Sequence, residues 1–153
     1  MPEKVKFEIS IPSDSEGFVL LKCPSCSEEF MLSVEDIEDD SFIDIWCPGC
    51  GILHNSYMTD DVAELAERMI ENYVAETLNN FDKELNKIFK NNKNIKLKPG
   101  KKVKKKQEFP IGRKIGDFVI IKYRCCDEEA KILNIRKFVG GYCPFCGGLT
   151  DGN

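Results

Sequence analysis

Three Cys-x-x-Cys pairs, Cys23/Cys26, Cys47/Cys50 and Cys143/Cys146, hold six of the eight cysteines of this 153-residue chain. That spacing constrains the fold more than any other feature. A tight turn between cysteines three positions apart aims two thiolates at one point, as metal knuckles require. An even cysteine count in a short chain also suits a disulfide framework, but disulfides belong to oxidising compartments. The N-terminus, Met1-Pro2-Glu3-Lys4-Val5-Lys6, is charged and has no apolar segment behind it, unlike a secretory signal. No apolar run approaches the roughly 18–20 residues of a membrane span. The expectation is a cytoplasmic chain with reduced cysteines and no membrane partner.

The first two pairs form Cys-x2-Cys-x20-Cys-x2-Cys, a zinc-site spacing. Cys23, Cys26, Cys47 and Cys50 supply four thiolates, which close a tetrahedral Zn2+ shell and leave no position for a substrate. Pro24 fixes φ after the first cysteine, and Gly51 can take φ > 0 to close the second knuckle. A module of this size buries too little surface to stand alone, and structural zinc contributes on the order of 10–16 kcal/mol to such folds. An iron site of the rubredoxin type would use similar knuckles. A redox Cys-x-x-Cys pair would need a surrounding βαβ pattern, which is missing. His54, the only histidine, is either a spare ligand or a surface or partly packed side chain.

Around these knuckles the chain alternates in short strand-like segments. Residues 5–11 alternate apolar and polar with period two, and residues 12–17 read as a turn. Phe18–Lys22, Glu29–Leu32 and Phe42–Trp46 read as strands, two of them running into a cysteine. From Asp60 to about Lys90 apolar residues recur in steps of three and four without Gly or Pro, which predicts one amphipathic helix roughly 45 Å long. Thr59 or Asp60 can cap it. Its stripe either packs on its own ribbons or pairs with another helix, the second being self-association. Residues 92–112, rich in Lys and Asn, read as a mobile linker. The strand pattern then repeats at Asp117–Tyr123, Ala130–Leu133 and Phe138–Tyr142.

The expected organisation is therefore a small metal-bound α+β protein: a zinc β-ribbon (1–58), a helix (59–91), a lysine-rich linker (92–112) and a second zinc β-ribbon (113–153). The second Zn2+ site would use Cys125, Cys126, Cys143 and Cys146. Adjacent cysteines point to opposite faces of an extended strand, so Cys125 and Cys126 reach one ion only across a sharp bend. Three outcomes are open: both bind, one binds beside Asp127 or Glu128, or the ribbon holds no metal.

The chain resembles bacterial proteins with zinc ribbons of the transcription-factor-IIB type. The likeness rests on Ile11-Pro12, Asp14, Gly17-Phe18, Cys23-Pro24-Ser25-Cys26, Phe30, Cys47-Pro48-Gly49-Cys50-Gly51, the helix starting at Thr59 and Tyr142-Cys143-Pro144-Phe145-Cys146-Gly147. It implies two ribbons joined by a helix. It also implies a Cys-x-x-Cys in the first half of the second ribbon, from which Cys125-Cys126 departs. Zinc ribbons of this kind serve transcription, RNA processing, ribosomes and protein scaffolding.

Charge is unevenly placed. Residues 1–56 carry 3 Lys/Arg against 12 Asp/Glu, while residues 92–114 carry 10 against 1. Two function classes follow. One is a non-catalytic adaptor that binds a protein partner, or a second copy, through helix 60–90 and the ribbon surfaces. The alternative is nucleic-acid binding through the lysine segment, with Lys101, Lys102, Lys104, Lys105 and Lys106 drawing phosphates and Trp46, Tyr142 and Phe145 stacking on bases. The same lysines could instead pair with internal acidic groups, and the same aromatics could cover the metal sites. No catalytic dyad or phosphate loop is present in the sequence, so neither an enzyme nor a small-molecule substrate is expected.

Overall fold

A computed structural model describes residues 3–41 and 44–151. The chain divides into two compact units, each discontinuous in sequence. One comprises the described parts of Ser10–Val62 and Ile111–Asn153, and the other those of Met1–Ile9 and Ala63–Pro110.

The ribbon unit is built on two hairpins. β1 (Phe18–Lys22) pairs antiparallel with β2 (Glu29–Ser33), and β5 (Phe118–Tyr123) pairs with β6 (Glu128–Leu133). Short hairpins cannot bury both faces alone, and here they join edge to edge. β2 pairs antiparallel with β6, giving one four-stranded sheet in the order β1-β2-β6-β5. Two two-stranded ribbons complete the unit, β3 (Ile45–Trp46) with β4 (Leu53–His54) and β7 (Gly141–Tyr142) with β8 (Leu149–Thr150). Inward-facing residues alternate along the strands as the pleat demands. Phe30, Leu32, Ala130 and Ile132 meet Tyr57, Tyr123, Cys23, Cys47 and Cys143 in a single buried cluster.

The sequence alternation over residues 5–11 does not yield a ladder, since among the described residues no strand forms before Phe18. Phe7 instead packs edge-on against Tyr73, with ring centroids 5.8 Å apart. The expected strand at Phe42–Trp46 survives as Ile45–Trp46, and Phe42 and Ile43 lie outside the described residues. Part of the expected strand at Phe138–Tyr142 is a helical turn, α3 (Arg136–Val139), which ends at Gly140 with φ +75°. The acidic run after Ser33 forms α1 (Val34–Glu38). Ser33 caps it by accepting from the Asp36 N–H at 3.1 Å, and its hydroxyl donates to the Asp36 carboxylate at 2.6 Å.

The long helix α2 (Asp60–Phe89) stands where the periodicity predicts it. Its first residues lie in the ribbon unit, where Asp60 meets Lys22 at 2.6 Å, and the rest forms the core of the second unit. In that unit the lysine-rich segment is no loose tether. It runs extended along the helix in the opposite direction, gripped by asparagine side chains. Asn79 donates to the Val103 carbonyl at 2.9 Å and accepts from its N–H at 3.0 Å. Asn72 does the same to Lys106, at 2.8 and 2.7 Å, and also reaches Glu108. Arg68 donates to the Gln107 carbonyl and lies over the Phe109 ring. The registers match. Seven helical residues rise about 10.5 Å, and three extended residues span about 10 Å.

Candidate metal centres

The eight cysteines fall into two groups, Cys23/Cys26/Cys47/Cys50 and Cys125/Cys126/Cys143/Cys146, with the sulfurs of each group within 4.8 Å of one another. In the first, the β1–β2 turn supplies Cys23 and Cys26, and the β3–β4 turn supplies Cys47 and Cys50. Sulfur separations are 3.7 Å for Cys23–Cys50 and 3.5 Å for Cys26–Cys47. In the second, the β5–β6 turn faces the β7–β8 turn, with Cys125–Cys146 at 3.5 Å and Cys126–Cys143 at 3.9 Å. A disulfide bond is about 2.05 Å long, so these are not bridges, and all eight thiols are free. Zinc–sulfur bonds of about 2.3 Å make the edges of a tetrahedron about 3.8 Å, close to the spacing seen.

The knuckles supply donors as well as ligands. Gly49 and Cys50 N–H groups point at the Cys47 sulfur at 3.3 and 3.5 Å, where they can offset thiolate charge. Burial, with neighbouring sulfurs adding to it, pushes the Cys47 and Cys143 thiols well above their ordinary range. Burial likewise lifts Cys126 to about 11. A cation among the sulfurs reverses that balance and holds the thiolates.

The vicinal Cys125-Cys126 pair finds its explanation in the repeat. Phe18-Val19-Leu20-Leu21-Lys22 and Glu28-Glu29 recur one hundred positions later as Phe118-Val119-Ile120-Ile121-Lys122 and Glu128-Glu129. The same offset equates Ser27 with Asp127, and both sit in the left-handed region, at φ +64° and +59°. It equates the hydrogen bond from the Ser27 N–H to the Cys23 carbonyl with that from Asp127 to Tyr123. Tyr123 therefore stands at the Cys23 position, Cys126 at the Cys26 position, and Cys125 where ribbon one has Ser25. Residues 124–127 form a turn, which frees the adjacent side chains from strand alternation. This correspondence was visible in the sequence as a fixed offset.

The other candidate ligands are engaged elsewhere. His54 pairs through Nε2 with the Ser25 hydroxyl at 2.9 Å and stacks edge-on with Tyr57. Asp127 pairs with Lys122 at 2.9 Å, and Glu128 lies in β6. Tyr57, which sequence reading passed over, donates to the Ile45 carbonyl at 2.5 Å and accepts from the His54 N–H at 3.2 Å. It ties β3 to β4 behind the first site, and burial pushes its hydroxyl up to about 12.

The two centres also brace each other. The Trp46 N–H donates to the Pro144 carbonyl and the Tyr142 N–H to the Pro48 carbonyl, both at 2.9 Å. Trp46 and Tyr142 are the residues before Cys47 and Cys143, so the exchange is reciprocal. Each ring lies on the glycine of the opposite knuckle. A Cβ on Gly147 would come 2.7 Å from the Trp46 ring, and one on Gly51 would come 2.8 Å from the Tyr142 ring. Phe145 meets Tyr123 edge-on at 6.3 Å. These aromatics cover the knuckles. Equivalent residues Met31 and Lys131 pair with each other across β2 and β6, which places an approximate two-fold axis between them. Arg136 closes the arrangement, donating from Nε to both oxygens of the largely buried Glu28 at 2.8 and 2.9 Å.

Of the candidate nucleic-acid lysines, Lys105 and Lys106 pair with Glu76 and Glu71 of the helix at 2.7 and 2.6 Å. Lys101, Lys102 and Lys104 are exposed. Among the described residues no helix is long and apolar enough to cross a membrane. Comparison with protein-family models, with curated proteins and with solved structures found no match.

Proposed function

We propose that the protein is a non-catalytic adaptor in which two structural zinc ions fix a paired ribbon while the long helix offers an interaction surface. The exposed apolar face of α2 carries this reading. Ile70, Val74, Leu78, Phe81 and Ile88 are each about half exposed or more, on an element whose other side is occupied by its own arm. Supporting it, each sulfur group is complete with four thiols, which leaves a bound zinc no open position for chemistry. Eight free thiols fit a reducing compartment such as the cytoplasm. The likeness to ribbons of the transcription-factor-IIB type belongs to the same proposal. The pairing of Lys105 and Lys106 with helix carboxylates supports internal charge compensation over phosphate binding.

The test is elemental analysis of the purified chain combined with nucleic-acid retention at low salt. The reading requires two zinc per chain, one in Cys126→Ser, and no retention of DNA or RNA. A chain without zinc would sink it, as would salt-sensitive binding abolished by neutralising Lys101, Lys102 and Lys104.

A further inference from the structure

The helical unit lacks half of a core. Among its described residues only Ala75 and Asn72 are buried, at 3% and 8% exposure. An isolated helix is marginal in water unless an amphipathic face packs against something. The arm supplies this on one side only. On a helix of 3.6 residues per turn, Arg68, Asn72, Ala75 and Asn79, which meet or underlie the arm, share one face. Ile70, Val74, Leu78, Phe81, Leu85 and Ile88 fall within an arc of about 80° centred about 130° away. Their steps from Val74 onward are four, three, four and three, the repeat of a helix–helix seam.

We propose that this stripe pairs antiparallel with the same stripe of a second copy of the chain; the inference rests on the adaptor reading and names its partner. The spacing is self-complementary. Turned end for end about a point between Leu78 and Phe81, Val74 comes level with Leu85 and Leu78 with Phe81, and Ile70 falls within one residue of Ile88. An isologous interface needs that property. Charge favours the same orientation. Residues 60–74 carry Asp60, Asp61, Glu64, Glu67 and Glu71 against Arg68 alone, a net −4, whereas residues 75–89 carry Glu76, Asp82 and Glu84 against Lys83 and Lys87, a net −1. A parallel pair would set the acidic halves side by side, and the antiparallel pair sets Glu67 level with the Lys90 region of its mate. Exposures of 49% to 68% on five of the six residues amount to roughly 500 Å² per copy. Doubled, that is about the 1,000 Å² a specific interface must clear, so association in the micromolar range is expected.

The test is sedimentation equilibrium of the full-length, zinc-loaded chain from about 1 to 300 μM, the range set by that expectation. Wild type should pass from monomer to dimer. Phe81→Glu should raise Kd at least about ten- to hundredfold, the equivalent of removing one buried aromatic side chain. Asn80→Ala, exposed and off the stripe, should match wild type, and circular dichroism should show the helix in both variants. Carbodiimide treatment of the dimer should join Glu67 to Lys90. Within one chain those residues lie roughly 35 Å apart along the helix, so the link reports two copies. A helical, zinc-loaded chain that stays monomeric throughout overturns the second-copy inference and leaves the adaptor reading standing. A chain that binds no zinc overturns that reading instead. A dimer that Phe81→Glu leaves intact also overturns the inference.

Discussion

Gly147→Ala tests whether the aromatic covers hold the two knuckles together. Gly147 sits at φ +73°, and a Cβ added there meets the Trp46 ring at 2.7 Å. The left-handed conformation costs an L-residue about 1–2 kcal/mol. Forcing a methyl group into a packed ring adds about 1–3 kcal/mol. The expected loss is therefore about 2–5 kcal/mol. Gly17→Ala is the control, because Gly17 has φ +83° and nothing within 4 Å of its would-be Cβ. It should lose only the conformational part, about 1–2 kcal/mol. The assay is reversible denaturation of both variants at fixed excess zinc, which keeps the metal's contribution equal. The difference of about 1–3 kcal/mol should appear as a Tm gap of roughly 3–10 °C. In a Trp46→Ala background the penalty for Gly147→Ala should shrink to the Gly17 value, since the clash has been removed. Equal losses in the two glycine variants, or a Gly147 penalty indifferent to Trp46, would refute the ring-on-glycine contact as a structural brace.

Two further outcomes are expected. Asn72→Ala removes the groups that pair with Lys106 N–H and carbonyl, and hydrogen exchange should show the Lys106 amide exchanging about tenfold faster or more. Val103, held by Asn79, should change less, and an unaltered Lys106 amide would contradict the clasp. Asp14 should shape the acid limb of the stability curve. Burial raises its pKa, but hydrogen bonds from Lys131 and from the Phe18 and Glu16 N–H groups outweigh that and hold it below its ordinary value. Its contribution is thus present above the unfolded value of about 3.9 and is lost as pH falls through the folded one. Asp14→Asn should lower stability at neutral pH and flatten the decline below about pH 4, measured as ΔG against pH beside wild type. Parallel curves would refute the assignment.

What could be read from the chain was whatever is local. Cys-x-x-Cys spacing fixes a knuckle because three peptide units decide where both sulfurs point. The helix declared itself because one period runs unbroken from Asp60 to Phe89. Contacts far apart in sequence were not legible. Nothing in Phe30 or Ile132 alone announces that β2 and β6 pair. Asn72 and Asn79 count as ordinary polar residues in a hydrophobic pattern, yet their amide groups mimic a strand edge and turn a supposed linker into a docked arm. The alternation at residues 5–11 misled because period two reports which faces differ in polarity, not whether a neighbouring strand exists to complete the ladder. Phe7 found its partner on a helix instead.

The shifted cysteine of the second ribbon goes with a change in packing. At matched positions ribbon one has Cys23 and Phe30, and ribbon two has Tyr123 and Ala130. All four are buried in one cluster. Each ribbon thus contributes one large and one small side chain, with the order reversed. Cores tolerate exchanges that conserve volume far better than additions to one side alone. Two copies of the Phe30 ring on either side of the axis between Met31 and Lys131 would crowd the centre of the sheet. Ala130 relieves that crowding, and Tyr123 fills the space further out, against Phe145. A tyrosine at the first knuckle position brings no sulfur, and the fourth thiol of the group comes from elsewhere in the same turn. Cys125 occupies the place of Ser25, on a bend tight enough to bring its sulfur within 3.5 Å of Cys146. The adjacent cysteines thus accompany a core that holds a ring, Tyr123, where ribbon one has Cys23.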